Sequence, residues 1–179
     1  MKIGATKLSL PTLGLGIFIV ISAAFMTQLW TLANNLFGER QIRLACIAGI
    51  VIIGLGVLLY MSRQRFKISR LILGIIVLGL GFWYAWRQPY FVKRIHTLEY
   101  SILGLLVIRD LIKSPDLSLL RKLLYAVLLV LAVACLDEGF QGLLPYRSGD
   151  IPDIITDLIG GFAGILTYII IKIPGHNVI

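Results

Sequence analysis

The chain has 179 residues, of which 58% are hydrophobic and 15% charged, and its mean hydropathy is +0.91. A soluble domain contains roughly 45–50% apolar and about 25% charged residues, and a chain this short cannot bury so much apolar surface in its own core. The composition excludes an ordinary soluble domain and predicts an integral membrane protein whose first partner is the lipid bilayer.

The net charge of +8 does not indicate a nucleic-acid partner, because the Lys and Arg residues lie between hydrophobic blocks and not along one stripe. Cys46 and Cys135 each lie inside an apolar block, without a CxxC or His-rich spacing. We therefore expect no disulfide and no zinc site, and no metal-ligating set is assigned from the sequence.

Hydrophobic stretches long enough for membrane helices predict an all-α fold, a polytopic membrane helical bundle of about six transmembrane helices. The charge-free run over residues 8–38 is too long for a signal-peptide h-region of roughly 7–15 residues, so the first stretch is expected to stay as a helix. The approximate ranges are 10–35, 42–62, 68–87, 94–113, 121–142 and 152–172.

The distribution of basic residues predicts the orientation. In the six-span arrangement 11 of the 17 Lys and Arg residues fall on one side and 6 on the other, and the run MSRQRFKISR at residues 61–70 is the strongest single indication. Because cytoplasmic loops are richer in Lys and Arg, we expect both termini to be cytoplasmic. The expected location is a bacterial inner membrane, crossed several times.

The last three predicted spans have unusually short charge-free parts. Residues 100–108 supply nine residues, and residues 123–136 and 158–171 supply fourteen each. At roughly 1.5 Å per residue these stretches are about 14 and 21 Å long, whereas a hydrocarbon core is about 30 Å thick. The flanking acidic residues must therefore belong to the helices and lie in or against the membrane.

The predicted topology brings polar side chains of three helices into one outward-facing layer. Asp157 shares a helix face with Gly160 and Gly164, whose GxxxG spacing permits close helix approach, so Asp157 is expected to face a neighbouring helix. The residues of this layer are His96, Glu99, Asp137, Glu138, Gln141, Arg147, Asp150, Asp153 and Asp157.

Negative charge is concentrated in this layer. Residues 136–157 hold five of the nine carboxylates of the chain and a single basic residue, Arg147. A charge in a membrane helix costs roughly 2.5–3.5 kcal/mol at the bilayer centre, and neighbouring carboxylates repel each other. We expect at least one carboxyl group to be protonated or to hold a cation, and the cofactor, if any, is left open.

Simpler roles are open for several of these residues. Asp150 and Asp153 flank Pro152, where acidic residues commonly cap the start of a helix. His96 can be an interfacial side chain bonded to a carbonyl group or an acid–base group. Arg147 can stabilise its loop through an ion pair or bind a headgroup. GxSxG, P-loop, GxGxxG and HExxH signatures are absent, so whether the protein is an enzyme stays open.

Two segments carry a family resemblance: HTLEYSILGLL at residues 96–106 and DEGFQGLLPYRSGDIPDIITDLIGGFAG at residues 137–164. They resemble the VanZ-like membrane proteins, whose pattern is a His followed by a Glu-Tyr pair on one helix and then DE..Q.....R..D..D...N..G...G. Asp157 departs from this pattern, which usually has Asn. We expect one integral membrane domain, in which residues 93–179 form a VanZ-like core of three helices and residues 1–92 form a three-helix segment without a recognised motif.

The resemblance implies a protein of the cell envelope, since the name-giving member is linked to resistance to the glycopeptide teicoplanin. The first hypothesis is a site for an amphipathic or lipid-linked ligand at the outer leaflet. Its acid–base residues would be Asp137, Glu138, His96 and Asp157, and its ligand-binding residues Glu99, Gln141, Arg147, Asp150 and Asp153.

Two other hypotheses stay open. The chain can be a small non-catalytic accessory subunit of a larger membrane protein complex, with residues 29–35 and the GxxxG face as contacts. It can also form a proton or cation pathway. The pathway is favoured less, because the inner halves of the last three helices are expected to lack matching polar residues.

Overall fold

The computed structural model describes residues 7–49, 68–87, 91–147 and 149–172. Throughout these residues the regular structure is helical and contains no strand, which confirms the predicted all-α fold. The helices are α1 (Leu10–Ser22), α2 (Met26–Phe37), α3 (39–49, at the edge of the described part), α4 (Ile68–Trp86), α5 (Phe91–Ile112), α6 (Leu119–Gly142) and α7 (Ile151–Lys172).

Two of these helices, α6 and α7, are long and apolar enough to cross a membrane, and α1 with α2 would make a third span if the bent pair is counted as one. The apolar part of α4 is shorter, and α5, with charged residues near both ends, is not among the candidates. Most of the predicted span 42–62 lies outside the described residues. The protein is a helical membrane protein, and the count of six spans stays a prediction.

The first predicted span differs from expectation, because it is bent by 70° between α1 and α2. Tight turns replace the helical pattern there: the amides of Ala24 and Phe25 donate to the carbonyl groups of Ile21 and Ser22, both at 3.1 Å. Further along, α2 ends at Gly38, whose φ of 82° is a conformation that glycine adopts without strain. Hydrophobic periodicity continues through such a bend, so the sequence pattern did not reveal it.

The closest helix packing is between α5 and α7, which run parallel. A Cβ atom on Gly160 would lie 2.5 Å from the carbonyl oxygen of Thr97, and one on Gly164 would overlap the carbonyl oxygen of Ser101. Small residues let helix backbones approach this closely, and the resulting van der Waals packing favours helix association in lipid. The GxxxG spacing therefore permits the predicted close helix approach, which places the polar face of α7 directly against α5.

An apolar core lies along α5, α6 and α7 and includes Leu103, Val107, Ile108, Val130 and Ile165. Beyond it, near the end of α5, Asp110 is buried and accepts hydrogen bonds from the backbone amide of Ser9 at 2.8 Å and the hydroxyl of Thr12 at 2.6 Å. The expectation that the inner halves of these helices lack polar residues is therefore wrong. The hydrogen bonds of Asp110 connect the start of α1 to the end of α5. The apolar core lies between Asp110 and the polar residues described in the next section.

Candidate functional site

Three carboxylates meet where α6 ends and α7 begins. Asp137 and Glu138 lie in the last turns of α6 and Asp157 in the second turn of α7, and the short loop 143–150 brings the two helix ends to the same height. The three residues are 0%, 6% and 3% exposed. One carboxylate oxygen from each lies within 4.8 Å of the others. We call Asp137, Glu138 and Asp157 the acidic cluster.

Tyr100 of α5 lies against this cluster and is completely buried. Its hydroxyl donates a long hydrogen bond of 3.4 Å to Oδ2 of Asp137. Gln141, one turn after Asp137 on α6, is also buried beside the same carboxylate. Tyr100 was not among the predicted site residues. Two signals pointed to it, namely its place four residues after His96 and the Glu-Tyr pair of the family pattern.

The loop before α7 closes over Glu138. The backbone amide of Asp150 donates to Oε2 of Glu138 at 2.9 Å, and a Cβ atom on Gly149 would overlap the carbonyl oxygen of Glu138. The side chain of Asp150 is exposed. The backbone carbonyl oxygen of Asp150 accepts a hydrogen bond of 3.0 Å from the backbone amide of Asp153, where α7 starts. Asp150 therefore contributes its backbone to this arrangement, while the half-buried Asp153 lies near enough to interact electrostatically with Glu138 and Asp157.

A second polar pair flanks the acidic cluster on α5. Nδ1 of His96 lies 3.3 Å from Oε2 of Glu99, and their side chains are 13% and 17% exposed. Glu99 is close enough to interact electrostatically with Asp137 and Asp157. The predicted polar face of α5 is thus brought to the same end of the bundle as the acidic residues of α6 and α7.

Arg147 makes a contact that differs from the loop ion pair and the headgroup contact considered for it. Its Nη1 donates a hydrogen bond of 3.3 Å to the carbonyl oxygen of Ala23. The hydroxyl of the neighbouring Tyr146 donates a hydrogen bond of 2.6 Å to the carbonyl oxygen of Ala24. Both carbonyl groups belong to the bend between α1 and α2. Arg147 still lies near enough to attract Asp137 and Glu138 electrostatically. The loop 143–150 therefore joins the bend to the acidic cluster.

Within the described part of the chain, the acidic cluster forms no close ion pair. Among the described residues, no Lys, Arg or His nitrogen lies within 4.0 Å of a carboxylate oxygen of the cluster. In the same part of the chain, Oδ1 of Asp137 is buried without a hydrogen-bond partner. Buried charges of one sign are stable only when a proton, a cation or a bound group offsets them. The arrangement can therefore hold a cation or keep a proton available for transfer.

The family model described as VanZ/LLP1 matches residues 17–172, which include every residue of the acidic cluster and of the polar pair on α5. The chain belongs to the VanZ/LLP1 family. The resemblance expected from the motifs is confirmed, and the match reaches into both the N-terminal segment and the predicted core. No curated protein and no solved structure matches the chain.

Within this VanZ-like protein, Asp157 stands where the motif expected from the resemblance has Asn. An amide side chain could donate a hydrogen bond to Asp137 or Glu138, whereas an ionised carboxylate only accepts. Asp157 is 3% exposed and faces both acids, so the substitution adds an ionisable group inside the site and not at its edge.

This VanZ-like protein also has an apolar groove of about 540 Å³, lined mainly by α4 and α7 and also by Val127 of α6. Its lining includes Ile155, Ile159, Phe162 and Leu166 of α7. At 100° per residue these positions lie on the opposite side of α7 from Asp157. The groove is therefore on the outer surface of the bundle and does not open onto the acidic cluster.

Proposed function

We propose that this VanZ-like protein is a cell-envelope protein that binds an amphipathic or lipid-linked, cell-wall-related ligand at the outer leaflet of the membrane. In this proposal the acidic cluster and His96 provide acid–base groups, and Gln141 with Tyr100 orients the polar part of the ligand. The expected orientation, with both chain termini in the cytoplasm, would turn the acidic cluster toward the outside.

The observation that carries the proposal is the convergence of three buried carboxylates at one end of a membrane helix bundle. Polar groups at membrane depth are expensive, and they are usually retained where they bind or transfer something. The neighbouring His96–Glu99 pair is partly exposed, so it provides a route from the surface to the cluster. Titratable groups in different surroundings, here the buried carboxylates and the partly exposed His96, are suited to separate acid and base roles.

Binding is tested with the purified full chain in lipid nanodiscs that contain a lipid-linked cell-wall precursor. We expect saturable binding that Glu138→Gln abolishes, because Glu138 combines burial with a fixed contact to the loop. Glu39→Gln is the matched control, since Glu39 is exposed on α3 and forms an ion pair with Arg43 of the same helix. Equal binding by the wild-type protein and Glu138→Gln, or no binding by either, would contradict the proposal.

A link to glycopeptide resistance is tested in cells. Bacteria that express the chain should tolerate a higher teicoplanin concentration than bacteria that express the Glu138→Gln variant at the same membrane level. The Glu39→Gln variant should behave like the wild type. Unchanged tolerance in all strains would remove the resistance role and leave ligand binding to be judged by the nanodisc experiment.

A further inference from the structure

We propose that Asp137, Glu138 and Asp157 together bind one divalent metal cation that prefers oxygen ligands, such as Mg²⁺, Ca²⁺ or Mn²⁺. The metal site shares these residues with the ligand site proposed above, but metal binding is measured without that ligand. A bound cation would explain how three buried acids coexist on two helices within a few ångströms of one another.

The spacing of the three carboxylates suits a shared ion. Oxygen ligands of these cations lie about 2.0–2.6 Å from the metal, so two oxygens on opposite sides of one ion are roughly 4–5 Å apart. The three carboxylate oxygens lie within 4.8 Å of one another, which is no farther apart than one ion can bridge. The donors are carboxylates without a thiolate or imidazole among them, which favours hard cations over zinc or copper.

Asp137 gives a second, independent indication. The residue is 0% exposed, and its Oδ1 has no hydrogen-bond partner among the described residues, although its Oδ2 accepts from Tyr100. A buried carboxylate oxygen without a donor is costly, and coordination to a metal satisfies it directly.

The surroundings of Glu138 and Arg147 agree with a bound cation. Oε2 of Glu138 is held by the backbone amide of Asp150, so the orientation of the carboxylate is fixed as in the outer shell of metal sites. A divalent ion would neutralise two of the three carboxylates, and Arg147, which attracts Asp137 and Glu138 from the loop, would offset the third.

The experiment measures Mn²⁺ binding to the purified full chain in detergent after treatment with a chelator, by electron paramagnetic resonance and by thermal unfolding. We expect about one saturable Mn²⁺ per chain, displaced by Mg²⁺ or Ca²⁺, and an unfolding temperature that rises with metal concentration. Asp157→Asn should weaken binding roughly tenfold or more. Asp116→Asn, at an exposed position between α5 and α6, should leave it unchanged.

Absence of saturable Mn²⁺ binding by the wild-type chain overturns the proposal without reference to any variant. Binding that Asp157→Asn and Asp116→Asn weaken equally also overturns it, because the ion would then be an adventitious surface ion. Glu138→Gln serves as a second variant if Asp157→Asn fails to fold. Loss of metal binding would leave the binding of the lipid-linked precursor to be measured separately, so the two proposals fail in distinguishable ways.

Discussion

Gly164 of α7 lies directly against the backbone carbonyl group of Ser101 in α5, at a distance that leaves no room for a side chain. The same helices meet again at Gly160 and Thr97, one turn closer to the acidic cluster. The small residues of α7 therefore determine how deeply Asp157 is held between α5 and α6.

Gly164→Ala should destabilise the protein by about 1–3 kcal/mol, because the methyl group would force two helix backbones apart. Gly79→Ala is the matched control. No atom of the described residues lies within 4 Å of a Cβ atom at Gly79 in α4, so this variant should be neutral or slightly stabilised. Thermal unfolding in detergent, followed by circular dichroism, measures both. Similar unfolding temperatures for the two variants would contradict the close packing described here.

Thr12→Val should destabilise the attachment of α1 to α5. The hydroxyl of Thr12 donates at 2.6 Å to Asp110, which is 3% exposed, and loss of a donor to a buried carboxylate costs about 1–3 kcal/mol. Thr31→Val makes the same chemical change on α2, where the exposed hydroxyl donates to the carbonyl oxygen of Thr27 in the same helix. Chemical denaturation should separate the two variants, and a larger effect at Thr31 would refute this role for Asp110.

Asp157→Asn should raise the stability of the metal-free chain while it reduces ligand binding. Removing one of three adjacent buried carboxylates relieves repulsion, and changes of this kind in functional sites commonly add about 0.5–2 kcal/mol. The measurement is thermal unfolding in the presence of a chelator, with Asp116→Asn as the control. A marked loss of stability would instead favour a structural network, as expected for an accessory subunit.

Tyr146→Phe should loosen the bend between α1 and α2. The tyrosine hydroxyl satisfies the carbonyl oxygen of Ala24 at 2.6 Å, a hydrogen bond worth about 0.5–1.5 kcal/mol. Amide hydrogen exchange over residues 23–28 should become faster, with little change in α6 and α7. Tyr125→Phe, at an exposed position of α6, should leave exchange at the bend unaltered. Unchanged exchange in Tyr146→Phe would show that the bend does not depend on the loop.

Properties that depend on composition and local periodicity were predictable from the sequence. High hydropathy and long apolar stretches indicated a helical membrane protein. The GxxxG spacing beside Asp157 predicted that this residue faces another helix, because positions four apart share a helix face. The order of acidic, Gln, Arg and Gly residues along two segments was specific enough to identify the family.

Contacts between residues far apart in the chain were decided only by the tertiary structure. Thr12 meets Asp110 across 98 positions, and Tyr146 meets Ala24 across 122. Nothing in the periodicity of either segment specifies its partner, since a helix pattern shows which face is buried but not what covers it. Arg147 illustrates the same reason. It was expected to bind a headgroup or an acid, but it donates to the carbonyl oxygen of Ala23 in the bend. The hydrophobic pattern continues through that bend and does not predict it.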